Sequence, residues 1–111
     1  MPAYPRIRAL LRVRHQIMRT ANVEIFSDQS NAAVMRHPER RFPGVLIQGD
    51  SLYVLCRQAD AACAGAKPSA NADAYDELNN LRNTLWSYLN HYKVVLSEHQ
   101  LPLPFSESAG A

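Results

Sequence analysis

The apolar residues in the second half of the chain recur with the period of an α-helix. In one segment they fall at positions 52, 55, 56, 59, 62 and 63, and in another at 78, 81, 85, 89, 92 and 96. Spacings of three and four residues place such side chains on one helical face. The pattern predicts two amphipathic helices, of which the second is long. The second helix should begin at Asn71 or Asp73 and end near His99, before Pro102 and Pro104.

The first half has the short apolar segments that are typical of β-strands. They are NVEIFS at 22–27, NAAVMR at 31–36 and VLIQ at 45–48. Short connections between them favour an antiparallel arrangement. We therefore predict an α+β fold: a small antiparallel sheet of two or three short strands, followed by an antiparallel pair of helices. Because three short strands are marginally stable alone, we expect the helical pair to pack on them.

Charge divides the chain into an extension, one domain and a tail. Residues 1–21 carry five arginines and no acid, whereas seven basic and ten acidic residues follow from position 22. We expect a basic N-terminal extension at 1–21, a single domain at 22–105 and a flexible tail at 106–111. The extension has two explanations. Translation starting at Met18 would make residues 1–17 an artefact, and otherwise they are a nucleic-acid-binding arm, a membrane-surface helix or an organelle transit peptide.

Cysteine and histidine spacing argues against disulfides and metals. Cys56 and Cys63 are seven residues apart in a predicted helix, which separates their α-carbons by about 10 Å, too far for a disulfide. We interpret both as small buried apolar residues, which is typical of a reducing, cytoplasmic compartment. The four histidines form no ligand cluster, so we expect no metal and no cofactor. No apolar run is long enough to span a membrane.

The Gly49-Asp50-Ser51 turn has a structural and a catalytic interpretation. It stands immediately before the first helical pattern, where Asp or Ser can accept hydrogen bonds from first-turn amides. The catalytic alternative, a serine on a glycine-flanked turn, requires a glycine at the position of Tyr53. We favour the cap, and because no nucleophile and base can be assembled from the sequence, we predict that the protein is not an enzyme.

Two candidate partner-binding surfaces follow from the pattern. On the second helix, one face combines a tryptophan with amides: Asn79, Asn83, Trp86 and Asn90. Tryptophan is enriched at interaction hot spots, and asparagine is a poor helix former. The alternative is that Trp86 packs under the strands or the C-terminal segment while the asparagines are solvated.

The second surface is the loop RHPERRFPG, in which basic residues surround an aromatic one: Arg36, His37, Arg40, Arg41 and Phe42. Arginine suits carboxylate or phosphate, and loops often carry function. A solvated hairpin tip is the alternative.

RRFPGVLIQGDSL, YDELNNLRNTLWSYLNHYKVVL and LPLPF together resemble a small bacterial family of unknown function over about residues 22–105. The resemblance implies no activity. We expect a protein-interaction module, such as an adaptor, an inhibitor or an immunity-like protein, whose partner is another protein. The alternative is nucleic-acid binding through the arginine-rich N-terminus and the loop from Arg36 to Phe42. The oligomeric state is left open.

Overall fold

The computed structural model describes residues 17–66 and 71–107. The predicted α+β order is confirmed, with strands first and helices second. The elements are β1 (Glu24–Ser27), β2 (Ala32–Arg36), β3 (Gly44–Ile47), α1 (Gly49–Gly65) and α2 (Ala72–Glu98). Most of the predicted basic extension, the centre of the connection between the helices and the end of the predicted tail lie outside the described residues.

The strands form an antiparallel sheet in the order β1-β2-β3. Ser30 holds the first turn, since its hydroxyl both accepts from the Ala32 amide at 3.2 Å and donates to the Ala32 carbonyl at 3.3 Å. β2 pairs with β3 in a regular register from Ala32 opposite Ile47 to Met35 opposite Gly44. The register of β1 against β2 shifts between Ile25 and Ser27, which is a bulge.

The register assigns the side chains to two sheet faces, because residues directly opposite each other share a face. We name them the Phe26 face and the Met35 face. The Arg36 guanidinium lies 5.6 Å from the centre of the Phe26 ring and pairs with Glu24, which places all three on one face. The Phe26 face also includes Val34, Val45 and Ile47, and the Met35 face includes Ile25, Ala33 and Leu46.

One residue separates the end of strand β3 from the start of helix α1, and the helix cap differs from the prediction. The N-cap residue is Gln48, whose side chain makes no capping hydrogen bond, and Gly49 is the first helical residue. Asp50 lies inside the first turn, where its carboxylate accepts from the Ser51 amide at 2.8 Å. The cap assignment to Asp50 or Ser51 was therefore wrong. The carboxylate nevertheless lies near the first amides, where it complements the helix dipole.

The ends of α2 agree with the predicted ones. Asn71 is the N-cap, and its side chain accepts a hydrogen bond from the Ala74 amide at 3.0 Å. At the other end the Leu101 amide donates to the Leu96 carbonyl at 2.9 Å, and the Gln100 amide donates to the Ser97 carbonyl. These two bonds form a Schellman motif, in which the residue after the cap is left-handed. Gln100 occupies that position with φ of 59°.

The two helices form an antiparallel hairpin with a core of small residues. Gly49, Cys56, Ala59 and Cys63 are the buried positions of α1, and Leu89 is fully buried in α2. The four buried positions of α1 are spaced by seven, three and four residues, which is the spacing of a coiled-coil seam. Small side chains bring the helices close: an ideal Cβ on Gly49 would lie 2.2 Å from the Tyr92 ring. The prediction that both cysteines are buried is confirmed.

The C-terminal segment lies along one flank of this hairpin. The Phe105 ring stacks on Tyr53 with centroids 4.3 Å apart. The Tyr53 hydroxyl donates to the Ser106 carbonyl at 3.4 Å, and Lys93 pairs with Glu107 at 3.0 Å. The two described residues of the predicted tail are thus held against the helices.

Two packing expectations are wrong. Leu55 and Leu81, predicted in the helical core, are 38% and 55% exposed. The reason is that the hairpin is a single layer of two helices, and no other described element packs across the flank on which these residues lie. The expectation that the helices pack on the sheet also fails. Within residues 17–66 and 71–107, the extensive contacts are those between the two helices and between neighbouring strands.

The sheet instead lies at the end of the hairpin where α1 begins and α2 ends. Val23, next to β1, and His37, next to β2, border a groove whose other wall includes His91, Val95 and His99 of the α2 end. This position leaves both faces of the sheet largely open to solvent.

Candidate functional site

The loop between β2 and β3 is shaped by a tight turn at His37-Pro38-Glu39-Arg40. The Arg40 amide donates to the His37 carbonyl at 2.9 Å, and proline at the second position sets the required backbone angle. His37 Nδ1 accepts from the Glu39 amide at 3.0 Å, which fixes the imidazole over the turn. Arg19 pairs with Glu39 at 3.4 Å and ties the preceding chain to the loop.

The turn directs Arg40, Arg41 and Phe42 to the Met35 face of the sheet. The Arg41 guanidinium lies 5.5 Å from the centre of the Phe42 ring, and Phe42 is 72% exposed. The Arg41 carbonyl accepts from the Arg36 guanidinium at 3.4 Å, which anchors the loop to β2. A cation beside an aromatic ring on a defined backbone is a surface that can bind both charged and apolar groups.

Together the loop and the sheet enclose an open groove of about 640 Å³. Its floor is apolar, and its rim carries the loop's basic side chains. We call it the Arg-loop groove; it is lined by Val23, Met35, His37, Arg40, Arg41, Phe42, Gly44, Val45 and Leu46. An ideal Cβ on Gly44 would meet no atom within 4 Å, so the groove is open above this glycine. The structure thus brings together three of the predicted site residues, Arg40, Arg41 and Phe42.

Arg36 stands apart from that group. Its guanidinium lies on the opposite face of the sheet, where it pairs with Glu24. The hydrogen bond and the positive charge of Arg36 hold the pKa of the Glu24 carboxyl below its usual value, and the same contact raises the pKa of Arg36. Arg36 therefore stabilises the loop and the β1–β2 pair from the opposite face of the sheet, while Arg40 and Arg41 face the groove.

The predicted Trp86 surface lies on the flank of the hairpin that carries the C-terminal segment. Trp86 is half-buried, and its indole N–H donates to the Asp60 carboxylate of α1 at 2.9 Å. Lys93 lies 6.0 Å from the centre of its ring. Trp86 thus makes internal contacts between the two helices and beside the tail.

The asparagines of that surface have separate environments. The Asn79 amide donates to the Tyr75 carbonyl of its own helix at 2.9 Å, and the Asn83 side chain accepts from Arg82 at 3.3 Å. Asn90 is exposed. Partner binding by this surface stays a prediction, and the Arg-loop groove has the better defined shape.

The chemistry around the buried cysteines is that of a core. Burial raises the pKa of the Cys56 thiol, and the nearby Asp60 carboxylate raises it further. A thiol with a raised pKa is a poor nucleophile. No three His, Cys, Asp or Glu side chains of the described segments are placed to hold a metal ion. In the same segments, no helix has the length and apolarity to cross a membrane.

Sequence reasoning missed the groove floor. The side chains of Val23, Met35 and Leu46 become a floor only because the antiparallel register places neighbouring strands side by side. The sequence contains one signal that these strands are covered. The runs AAVM and VLI are apolar at every position, and such runs are typical of strands covered on both faces rather than one.

Comparison with known proteins gives a family and no activity. The model of DUF6959, a family of unknown function, matches residues 18–105. No curated protein and no solved structure matches the chain. Because the match covers most of the chain, including the sheet, the Arg loop and both helices, this protein belongs to the DUF6959 family.

Proposed function

We propose that this chain is a non-enzymatic protein-interaction module of the bacterial cytoplasm, an adaptor or an inhibitor, that binds an acidic and apolar segment of another protein. The observation that carries the proposal is the Arg-loop groove, with an apolar floor and a basic rim in one open surface. The two buried free cysteines support a reducing compartment. The raised pKa of the Cys56 thiol supports a structural role for it.

The chemistry of the groove selects the partner. Arg40 makes no ion pair with the described residues, so its guanidinium is available to a carboxylate of a ligand. Phe42 offers an exposed ring beside it, and the floor offers Met35 and Leu46. A segment that alternates Asp or Glu with Leu, Phe or Trp would satisfy both parts, because carboxylates match the arginine forks and apolar side chains cover the floor.

Nucleic acid is the second candidate, favoured by the basic rim next to the exposed Phe42. Two features support the protein partner over it. A sequence-tolerant nucleic-acid surface generally uses several stacking aromatics, whereas among the described residues Phe42 is the one Phe, Tyr or Trp that lines this groove. Residues 22–111 also carry ten acidic and seven basic residues, which opposes binding to a polyanion.

The test is a selection from a displayed library of random peptides on the full chain, with counter-selection on the Arg40→Glu/Arg41→Glu variant. We expect enriched peptides that combine acidic and apolar residues. Their affinity should fall about tenfold or more in that variant, since each lost charge-assisted contact is worth about 1.5 kcal/mol or more. Gly44→Leu should weaken binding similarly by filling the groove without changing charge. Arg57→Glu on α1, remote from the groove, is the matched control and should bind normally.

Fluorescent single- and double-stranded oligonucleotides provide the contrasting measurement. Tight binding that weakens steeply with salt, together with no peptide that discriminates the wild type from the variant, would contradict the protein-partner proposal and favour nucleic acid. Selected peptides that bind the Arg57→Glu and the Arg40→Glu/Arg41→Glu variants equally well would show that the groove is not the binding surface.

A further inference from the structure

Two apolar surfaces are left uncovered by the described residues. The first is the Phe26 face of the sheet, where Phe26 and Val45 are 56% and 60% exposed, and Ile47 is also exposed. A sheet of three short strands is marginally stable unless one of its faces is packed. The described part of the chain places no helix across this face.

The second surface lies on the helical hairpin and consists of Leu55, Leu81 and Tyr88. We call it the hairpin patch. Leu55 follows Tyr53 by two residues, and Tyr88 follows Trp86 by two, which turns each about 200° around its helix. Because Tyr53 and Trp86 lie on the flank that carries the C-terminal segment, Leu55 and Tyr88 lie on the opposite flank. Leu81 is seven residues before Tyr88, on the same side.

The antiparallel register makes the patch continuous. Cys63 contacts Leu78, and Gly49 contacts Tyr92, so Leu55 lies level with about residues 85 to 88 of α2. Leu81 is 55% and Tyr88 61% exposed. The residue between them on this flank is Thr84, which is uncharged. An apolar strip without charge on one flank of a helical hairpin is typical of an interface.

The connection between the sheet and the hairpin keeps these two surfaces of one chain apart. Only Gln48 separates the end of β3 at Ile47 from the start of α1 at Gly49. The sheet therefore stays at the end of the hairpin, beside Val95. Leu81 is fourteen residues from Val95, or about 21 Å along the helix. The Phe26 face does not cover the patch of its own chain.

We propose that a second copy of this chain covers both surfaces reciprocally. The Phe26 face of each copy packs on the hairpin patch of the other, and the two contacts are related by a two-fold axis. Each surface then gains the second layer that sheets and helical hairpins need. The inference goes beyond the proposed function, because it concerns the Phe26 face and the hairpin patch, of which Val45 alone also lines the Arg-loop groove.

Area and charge both favour this occupant. If each side chain has roughly 200 Å² in total, the exposed fractions give the Phe26 face roughly 300 Å² of apolar area and the hairpin patch roughly 300 Å². A standard interface takes about 450 Å² of apolar area from each partner, so the reciprocal arrangement reaches it while the sheet face alone does not. The charges on the face, Glu24 and Arg36, neutralise each other, so two copies do not repel. The Met35 face, rimmed by Arg40 and Arg41, would repel a second copy.

Sedimentation equilibrium of the full chain tests the proposal. We expect a mass of twice 12.5 kDa and a melting temperature that rises with protein concentration. Phe26→Glu on the sheet and Leu81→Lys on the patch should each weaken self-association about a hundredfold or more, since each buries an unpaired charge. Val94→Glu, at a half-exposed position on another side of α2, and Arg40→Glu in the groove should leave it unchanged.

Mixing the two disrupted variants separates loss of the interface from loss of folding. In an equimolar mixture, one of the two junctions is wild type and the other joins Phe26→Glu to Leu81→Lys with opposite charges. We expect a heterodimer from two proteins that are separately monomeric. The proposal is overturned by a wild-type monomer whose melting temperature is independent of concentration. It is equally overturned if Phe26→Glu disrupts the dimer while Leu81→Lys leaves it intact, or if the mixture of the two variants stays monomeric.

Discussion

The substitution Gly49→Ala tests how closely the two helices approach. Gly49 is the first residue of α1, and a Cβ built there lies 2.2, 2.3 and 2.4 Å from three atoms of the Tyr92 side chain. Ordinary contacts between such atoms are about 3.5–4.0 Å. The ring must therefore retreat by more than about 1 Å, either by rotating toward solvent or by pushing the helices apart.

The magnitude follows from two opposing effects. Forcing a methyl group into a packed site costs about 1–3 kcal/mol. Alanine in place of glycine returns about 0.5–1 kcal/mol in a helix interior and less at its first residue. We therefore expect Gly49→Ala to lower the free energy of unfolding by about 1–2 kcal/mol and the melting temperature by about 4–12 °C.

The assay is urea unfolding at one fixed protein concentration. The matched control is Gly65→Ala at the other end of α1, where a Cβ meets no atom within 4 Å. That variant should be as stable as the wild type or slightly more stable. In a Tyr92→Leu background, which lacks the ring, Gly49→Ala should lose most of its cost. Equal stabilities of the Gly49→Ala and Gly65→Ala variants would refute the close approach, and so would identical costs with and without the Tyr92 ring.

Further predictions concern the core, the end of α2 and a buried thiol. Leu89→Ala should lower the free energy of unfolding by about 2–5 kcal/mol because Leu89 is fully buried. The control Val94→Ala, at a half-exposed site, should lower it by less than about 1 kcal/mol. Similar urea midpoints for the two variants would contradict the assignment of Leu89 to the core. Gln100→Gly should raise stability by about 1 kcal/mol because it relieves a left-handed backbone, and a lower melting temperature would speak against the Schellman end. In a Cys63→Ala background, Cys56 should react slowly with a thiol reagent until the protein unfolds. Since the pKa of Cys56 is raised in the folded protein, stability should fall as pH rises above about 8.5, and Cys56→Ala should abolish that loss.

Local pattern was sufficient for most of the secondary structure. The period of the apolar residues predicted both helices, and the Asn71 cap and the following prolines set the limits of α2 within about a residue. The short apolar runs predicted a sheet of two or three strands, and the short connections between them predicted its antiparallel order. These features depend on neighbours within a few positions, which is why the sequence alone contains them. The start of α1 was misassigned because Gln48 caps it without a side-chain hydrogen bond, so no cap residue marks it.

The tertiary structure decided which apolar residues are covered. Cys56 and Leu81 both fit a helical core stripe, yet the first is fully buried and the second exposed. The difference arises because Cys56 faces the partner helix while no described element packs on the flank that carries Leu81, and the period within one helix does not show which side of its apolar stripe is covered. The same holds for the Arg-loop groove, whose rim of Arg40, Arg41 and Phe42 is contiguous in sequence. Its floor comes from separate strands that meet only through the sheet register, because pairing between distant segments is a property of the folded chain.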